Sequence, residues 1–200
     1  MTRRTLRRAA WRPALIALAG LLAACGTRPP AEELPVLPMG GDFHLTDHDD
    51  RPFELASLRG RVVLVFFGYS SCPDACPTTL SKLATVSRRL GDGRTRIKTL
   101  YISVDPERDT PAVLKADLQN FDLDALGLTG MKGDIDTVTA QYGAAYQIVP
   151  APGSAAQYTV AHTTWVYALD TKGRVRIRFG YEASVDEIVQ GLRAILAEAA

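Results

Sequence analysis

The 200-residue chain has few side chains that bind metals or form disulfides: three cysteines, three histidines and three methionines. Three cysteines cannot build the framework of a disulfide-rich secreted domain. Charge of neither sign is in excess, with 23 Lys and Arg against 22 Asp and Glu, and 46% of the residues are hydrophobic. This composition excludes a collagen-like or wholly disordered chain. The sequence also has no series of apolar runs of the ~20 residues that spanning helices need, which excludes a polytopic membrane protein.

The charges are unevenly placed along the chain. The first 24 residues contain five arginines and no acid, so residues 25–200 carry 18 basic against 22 acidic residues, a net charge of −4. A mildly acidic domain without a basic patch is not expected to bind nucleic acid.

Residues 1–24 are typical of a bacterial lipoprotein signal peptide. The arginines precede an apolar run of eleven residues, 14–24, which is too short to span a membrane but suits a signal-peptide core. The run leads into Leu-Ala-Ala-Cys-Gly, residues 22–26, which resembles a lipobox whose Cys25 accepts a lipid. The alternative is an uncleaved signal anchor in which Cys25 is incidental. We expect a lipid-anchored protein of the bacterial cell envelope, with its domain on the periplasmic face of the inner membrane.

The residues after Cys25 favour an extended chain. Four prolines lie between residues 26 and 38, a composition typical of a tether. We therefore predict a lipidated cysteine and tether over residues 25–39 and a globular domain over residues 40–200.

The domain has the pattern of an α/β fold. Residues 61–69 and 97–104 are apolar, β-rich runs typical of buried central strands, and a helical pattern between them implies that they are parallel. Thr110 and Pro111 open a second helix, and residues 134–142 are a weaker helical candidate. Strands over 163–169 and 174–179 flank a turn, and Ser184 begins an amphipathic last helix. A thioredoxin-like mixed sheet, flanked by helices and ending in a β-hairpin and a helix, is the simplest such arrangement.

Cys72 and Cys76 follow the first central strand directly and precede a helix. Reactive groups gather at the carboxyl ends of strands in such sheets, and a helix N-terminus stabilises a thiolate. The alternative is a structural disulfide, but a disulfide that closes so short a loop adds little stability. Two chemistries remain: thiol–disulfide exchange, for which Cys-x-x-Cys is the more usual spacing, and binding of a soft metal such as Cu(I).

A third ligand would complete a copper site. If the strand that begins near Thr163 runs antiparallel to 61–69, His162 lies beside the cysteine loop. His44 and His48 could form a second metal site, but the surrounding acids favour a solvated edge.

The motifs resemble the Sco/SenC family. The residues concerned are Phe-Phe-Gly-Tyr-Ser-Ser-Cys-Pro-Asp-Ala-Cys-Pro from 66, Ile-Ser-Val-Asp-Pro-Glu-Arg-Asp-Thr-Pro from 102, Leu-Thr-Gly from 128 and Val-Ala-His-Thr-Thr from 160. The resemblance implies a thioredoxin-like fold and a membrane-anchored copper chaperone that serves the dinuclear copper centre of cytochrome c oxidase subunit II. Its copper ligands would be Cys72, Cys76 and His162, holding Cu(I), or Cu(II) with a further ligand. A copper donor protein and a thiol reductant outside the cytoplasm would be further partners.

The resemblance is also compatible with an enzymatic function. Members of the family are discussed as thiol–disulfide oxidoreductases, for which Cys72 and Cys76 would be the catalytic redox pair. The chain departs from the family pattern at Ser70-Ser71, where Thr-His is frequent, and at Ala161, where Asp is frequent. Asp105 is interpreted as a turn residue, with Arg108 and Asp109 paired across the turn, and support for the metal ligands is its alternative role. Trp165 and Tyr167 are expected to be packing residues.

Overall fold

A computed structural model describes residues 33–154 and 156–199. The elements of this described part follow one another as β1 (His44–Asp47), β2 (Pro52–Glu54), a 3₁₀ helix (Leu55–Leu58), β3 (Val62–Gly68), α1 (Ala75–Leu90), a 3₁₀ helix (Gly91–Arg96), β4 (Ile97–Ser103), α2 (Pro111–Leu118), β5 (Ala125–Thr129), α3 (Lys132–Gln141), β6 (Tyr146–Pro150), β7 (Tyr158–His162), β8 (Val166–Leu169), β9 (Val175–Phe179) and α4 (Val185–Glu198).

A mixed seven-stranded sheet with the strand order β2-β1-β5-β4-β3-β8-β9 forms the centre of the domain. β3, β4 and β5 are parallel neighbours, whereas β8 is antiparallel to β3 and forms a hairpin with β9. All seven residues of β3 are buried, because both faces of the sheet are covered. The predicted mixed sheet, late hairpin and C-terminal helix are confirmed.

Short-range sequence signals explain the helix ends. The Thr110 hydroxyl accepts a hydrogen bond from the Val113 N–H, which caps α2. Ser184 and Glu187 exchange the two reciprocal bonds of a capping box at the start of α4. Helix α1 ends at Gly91, whose φ of 57° is a conformation that glycine adopts without strain.

A second sheet consists of β6 and β7, and the sequence patterns did not predict it. His162 is the last residue of β7 and pairs with Tyr146 of β6. The predicted strand antiparallel to β3 is confirmed, and its start lies beside the end of β3, although it begins at Val166 and not at Thr163. His162 lies next to the cysteine loop as that topology predicts, and it is held there as the last residue of the β6–β7 hairpin.

The chain enters the described domain at the end of the sheet opposite the cysteine loop. The Leu37 N–H donates a 2.8 Å hydrogen bond to the carbonyl of Val175, the first residue of β9. The side chain of Arg176 donates to the Leu34 and Pro35 carbonyls and pairs with Asp170 and Glu198, while only 3% of the residue is exposed. Segment 34–37 is therefore fixed to β9.

No helix among the described residues is long and apolar enough to cross a bilayer. The predicted signal peptide and Cys25 lie outside the described residues, so their assignment stays a prediction.

Candidate metal centre

The two cysteines lie at the carboxyl end of β3, around the start of α1. Cys72 is partly exposed and its N–H donates a 3.2 Å hydrogen bond to the Tyr69 carbonyl, while Cys76, in the first turn of α1, is 2% exposed. Both are free thiols. Asp74 occupies the N-cap position of α1, but its carboxylate accepts from the Thr78 hydroxyl instead of capping the helix. The Cys76 N–H, in the first turn of α1, donates to Cys72 Sγ at 3.4 Å, so the positive end of the helix dipole faces that sulfur.

His162 completes a group of three donors. Its Nε2 lies 3.5 Å from Cys76 Sγ, and its Nδ1 lies 3.0 Å from the Thr163 carbonyl oxygen. Because a carbonyl oxygen only accepts, Nδ1 carries the proton and the lone pair of Nε2 faces the cysteines. The ring edges of Phe66 and Tyr69 hold the imidazole in place.

The donor atoms of Cys72, Cys76 and His162 all lie within 4.8 Å of one another. In the described part of the chain this is the one group of three or more Cys, His, Asp or Glu side chains so arranged. Two sulfurs and one imidazole suit a soft ion such as Cu(I) and fall short of the four protein ligands of a structural zinc site.

The environment makes the two thiols unequal. Hydrogen bonds from the Cys76 side chain and from the backbone N–H groups of Asp74 and Cys76 hold the pKa of Cys72 well below its ordinary value, despite partial burial. The same bond to Cys72, together with burial, raises the pKa of Cys76. The first proton to leave the pair therefore leaves a thiolate on Cys72.

This asymmetry predicts selective alkylation of the reduced protein. At pH 5, iodoacetamide should modify Cys72 almost as fast as at pH 8, because Cys72 is already a thiolate, whereas Cys76 should stay unmodified. Peptide mass spectrometry at several times gives both rates. In guanidinium the selectivity should vanish, since an unfolded cysteine has a pKa of about 8.5. A Cys72 rate in the folded protein that falls tenfold for each pH unit below 8 would contradict the assignment.

A buried carboxylate fixes the loop that carries Cys72. Asp109 is 0% exposed and accepts from the Ser70 N–H at 2.9 Å, from the Ser70 hydroxyl at 2.5 Å and from the Ser103 hydroxyl at 2.6 Å. The predicted pair of Arg108 with Asp109 was wrong: the Arg108 guanidinium bonds to Asp105. Asp109 instead ties the chain after β3 to the end of β4.

Asp105 supports the hairpin that bears His162. Its carboxylate, 2% exposed, accepts from the Tyr158 hydroxyl at 2.8 Å and from the Arg108 side chain. The guanidinium of Arg108 lies 3.8 Å from the Tyr158 ring centre and donates to the Ala156 and Tyr158 carbonyls. The structural role of Asp105 therefore reaches beyond its own turn: it fixes the start of β7, four residues before His162.

Gly68 leaves space beneath Cys76. An ideal Cβ at this position would lie 2.8 Å from Cys76 Sγ, 2.6 Å from Tyr101 Cε2 and 3.0 Å from the Tyr101 hydroxyl oxygen. A side chain here would overlap the sulfur, so the close packing of β3, β4 and α1 requires glycine.

The other predicted residues lie elsewhere. His44 is exposed and pairs with Glu54, while the His48 Nδ1 accepts from the Gly127 N–H and burial lowers the pKa of its ring. The two histidines thus have separate partners, a surface carboxylate for His44 and a backbone N–H for His48. Tyr167 is fully buried against Trp165, which stacks on Arg178, so both aromatics are packing residues.

The departures from the family pattern have distinct surroundings. Ser70 bonds to Asp109, as described above. Ala161 is exposed and lies on the opposite face of β7 from Val160 and His162. A carboxylate at position 161 would therefore start from the far side of this strand.

Known proteins resemble this chain in sequence and in fold. Residues 31–197 match the family model SCO1/SenC. A SCO2-like protein of Rickettsia felis is 35% identical over 155 residues, which are 78% of this chain and 76% of that protein. Among solved structures, copper-bound ScoI of Bradyrhizobium japonicum is 38% identical, with a TM-score of 0.70, covering 78% of this chain and 98% of that one. Copper-bound yeast Sco1 is 33% identical, with a TM-score of 0.69, covering 78% and 90%. The fold is thioredoxin-like, and the chain belongs to the SCO1/SenC family.

Proposed function

We propose that this protein carries copper and transfers it to the dinuclear copper centre of cytochrome c oxidase subunit II. The observation that carries the proposal is the convergence of the Cys72, Cys76 and His162 donor atoms within 4.8 Å. The copper-bound structures of two similar proteins support it. The two thiolates and the imidazole hold Cu(I), which accepts three soft ligands, while Cu(II) takes a further ligand.

The partly exposed edge of the site suits metal transfer. Cys72 and His162 are half-buried, whereas Cys76 is buried. A recipient with its own cysteines and histidine can therefore displace the outer ligands one at a time before Cys76 releases the ion. Copper enters from a donor protein in the same compartment.

The N-terminal sequence supports a location at the membrane. We propose that residues 1–24 are removed as a signal peptide, that Cys25 carries the lipid and that residues 25–39 lead to the domain of residues 40–200. The anchor places the domain on the periplasmic face of the inner membrane.

A second candidate function, thiol–disulfide exchange, is favoured by the unequal thiols. The Cys72 thiolate attacks a target disulfide and forms a mixed disulfide, releasing one target thiolate. Cys76 then attacks Cys72, so the target becomes a dithiol and the protein a disulfide, with two electrons transferred. A thiol reductant outside the cytoplasm must reduce the disulfide again, both for turnover and for copper loading.

A competitive Cu(I) titration tests the carrier proposal. The full chain, reduced and anaerobic in detergent, should bind one Cu(I) per chain against a Cu(I) chelator. His162→Ala removes one of three ligands, so the affinity should fall by about a hundredfold, equivalent to ~2.7 kcal/mol. His44→Ala is the matched control, since His44 is exposed, pairs with Glu54 and is not one of the three donors.

The titration also separates the two candidates. If His162→Ala binds Cu(I) as tightly as the wild type, the three-ligand site is wrong. Catalytic turnover of a disulfide substrate that is unaffected by the same substitution would then favour the oxidoreductase.

A further inference from the structure

Tyr101 carries a buried hydroxyl with no evident structural purpose. The residue lies within β4 and is fully buried, and its hydroxyl has no hydrogen-bond partner in residues 33–154 and 156–199. A buried polar group without a partner destabilises the folded state. Phenylalanine would fill the same space without that cost, so the hydroxyl needs another explanation.

The hydroxyl borders the space beneath the Cys76 sulfur. Both the sulfur and the hydroxyl oxygen lie within 3.0 Å of the point where a Cβ of Gly68 would stand. A rotatable O–H donor therefore stands beside a proposed metal ligand.

We propose that the Tyr101 hydroxyl donates a hydrogen bond to the Cys76 sulfur once that sulfur is a copper-bound thiolate. The inference rests on the proposed copper site. A thiol is a weak acceptor and leaves the hydroxyl unpaired, whereas a thiolate is a strong acceptor and satisfies it. The bond withdraws charge from the sulfur and fixes its orientation, which favours Cu(I) over Cu(II). Tyr101 is thus a positioning residue that acts through Cys76.

The test compares Tyr101→Phe with Tyr167→Phe. Tyr167 is the matched control, because its buried hydroxyl also lacks a partner in the described part of the chain, but its ring packs against Phe67, Tyr142 and Trp165. Tyr101→Phe should lower the Cu(I) affinity about tenfold, the effect of one hydrogen bond to a charged acceptor. It should also shift the sulfur-to-Cu(II) charge-transfer band to lower energy. Neither substitution should lower the urea midpoint of the metal-free protein.

Each outcome has a definite meaning. Equal affinity and an unchanged band in Tyr101→Phe overturn the role of Tyr101, while wild-type uptake of one Cu(I) per chain leaves the carrier proposal standing. An equal loss in Tyr167→Phe also overturns it, since both effects would then come from core packing. If the wild type fails to take up Cu(I), the carrier proposal fails and the role of Tyr101 falls with it.

Discussion

Replacing Cys76 with serine is expected to abolish tight Cu(I) binding. A serine hydroxyl is a hard donor that stays protonated at neutral pH, so the site would lose one of its two soft sulfur donors. Cys76 is also the buried member of the pair, and its Sγ lies 3.5 Å from His162 Nε2. The expected loss is at least a thousandfold in affinity, equivalent to ~4 kcal/mol. Cys72→Ser should show a loss of the same order.

The measurement is the same anaerobic titration against a Cu(I) chelator. Ala75→Ser is the matched control, because it adds a hydroxyl next to Cys76, at the first residue of α1, and keeps both thiols. It should bind one Cu(I) with wild-type affinity. Stoichiometric tight binding by either cysteine variant would refute the assignment of the ligands.

Removing the carboxylate of Asp109 should cost about 3 kcal/mol of the free energy of unfolding. Asp109→Ala leaves the Ser70 N–H and hydroxyl and the Ser103 hydroxyl without their acceptor in a fully buried position. Unpaired buried donors cost about 1–3 kcal/mol each, and partial access to water reduces the sum. The loop before Cys72 should loosen as well, so the Cu(I) affinity should fall in the variant that still folds.

Urea unfolding of the metal-free, reduced protein measures the effect. Asp122→Ala is the matched control, since Asp122 is exposed and lies 3.9 Å from its partner Arg88. Its unfolding midpoint should match the wild type, and Asp109→Asn, which keeps one acceptor oxygen, should lie between the two. Equal midpoints for Asp109→Ala and Asp122→Ala would show that the buried network contributes nothing.

The sequence predicts the centre of this fold better than its periphery. β3 and β4 are continuous apolar runs, and the β8–β9 turn contains Gly173, whose φ is +76°. Sequence patterns do not predict strands β6 and β7. Four of the five β6 residues are exposed, so no apolar alternation distinguishes this hairpin from a loop. β1, β2 and β5 are only three to five residues long, too short for periodicity to carry a signal.

The sequence predicts the three side chains that the structure brings together, but it does not predict the residues that hold them in place. The spacing of Cys72 and Cys76 identifies the pair. His162 is predicted from the expected strand order and from the family resemblance. Asp109 is 39 residues from Ser70, and only the parallel register of Gly68 with Ser103 brings the two chain segments together. Tyr101 lies in a strand whose inner residues are buried on both faces, so nothing in the pattern reveals which of them borders a sulfur atom.

The hydrogen bonds from Arg176 to the Leu34 and Pro35 carbonyls also determine which part of the domain bears a force applied to the N-terminal segment. A pull on the N-terminal segment is resisted first by β9 and by the ion pairs with Asp170 and Glu198. The donors lie at the other end of the sheet, about 23 Å away by the length of a seven-residue strand. Tension in the N-terminal segment thus acts on β9 and its ion pairs. Among the described residues, this part of the molecule shares no hydrogen bond with the cysteine loop. An N-terminal attachment therefore leaves the donor end of the sheet free to meet a partner.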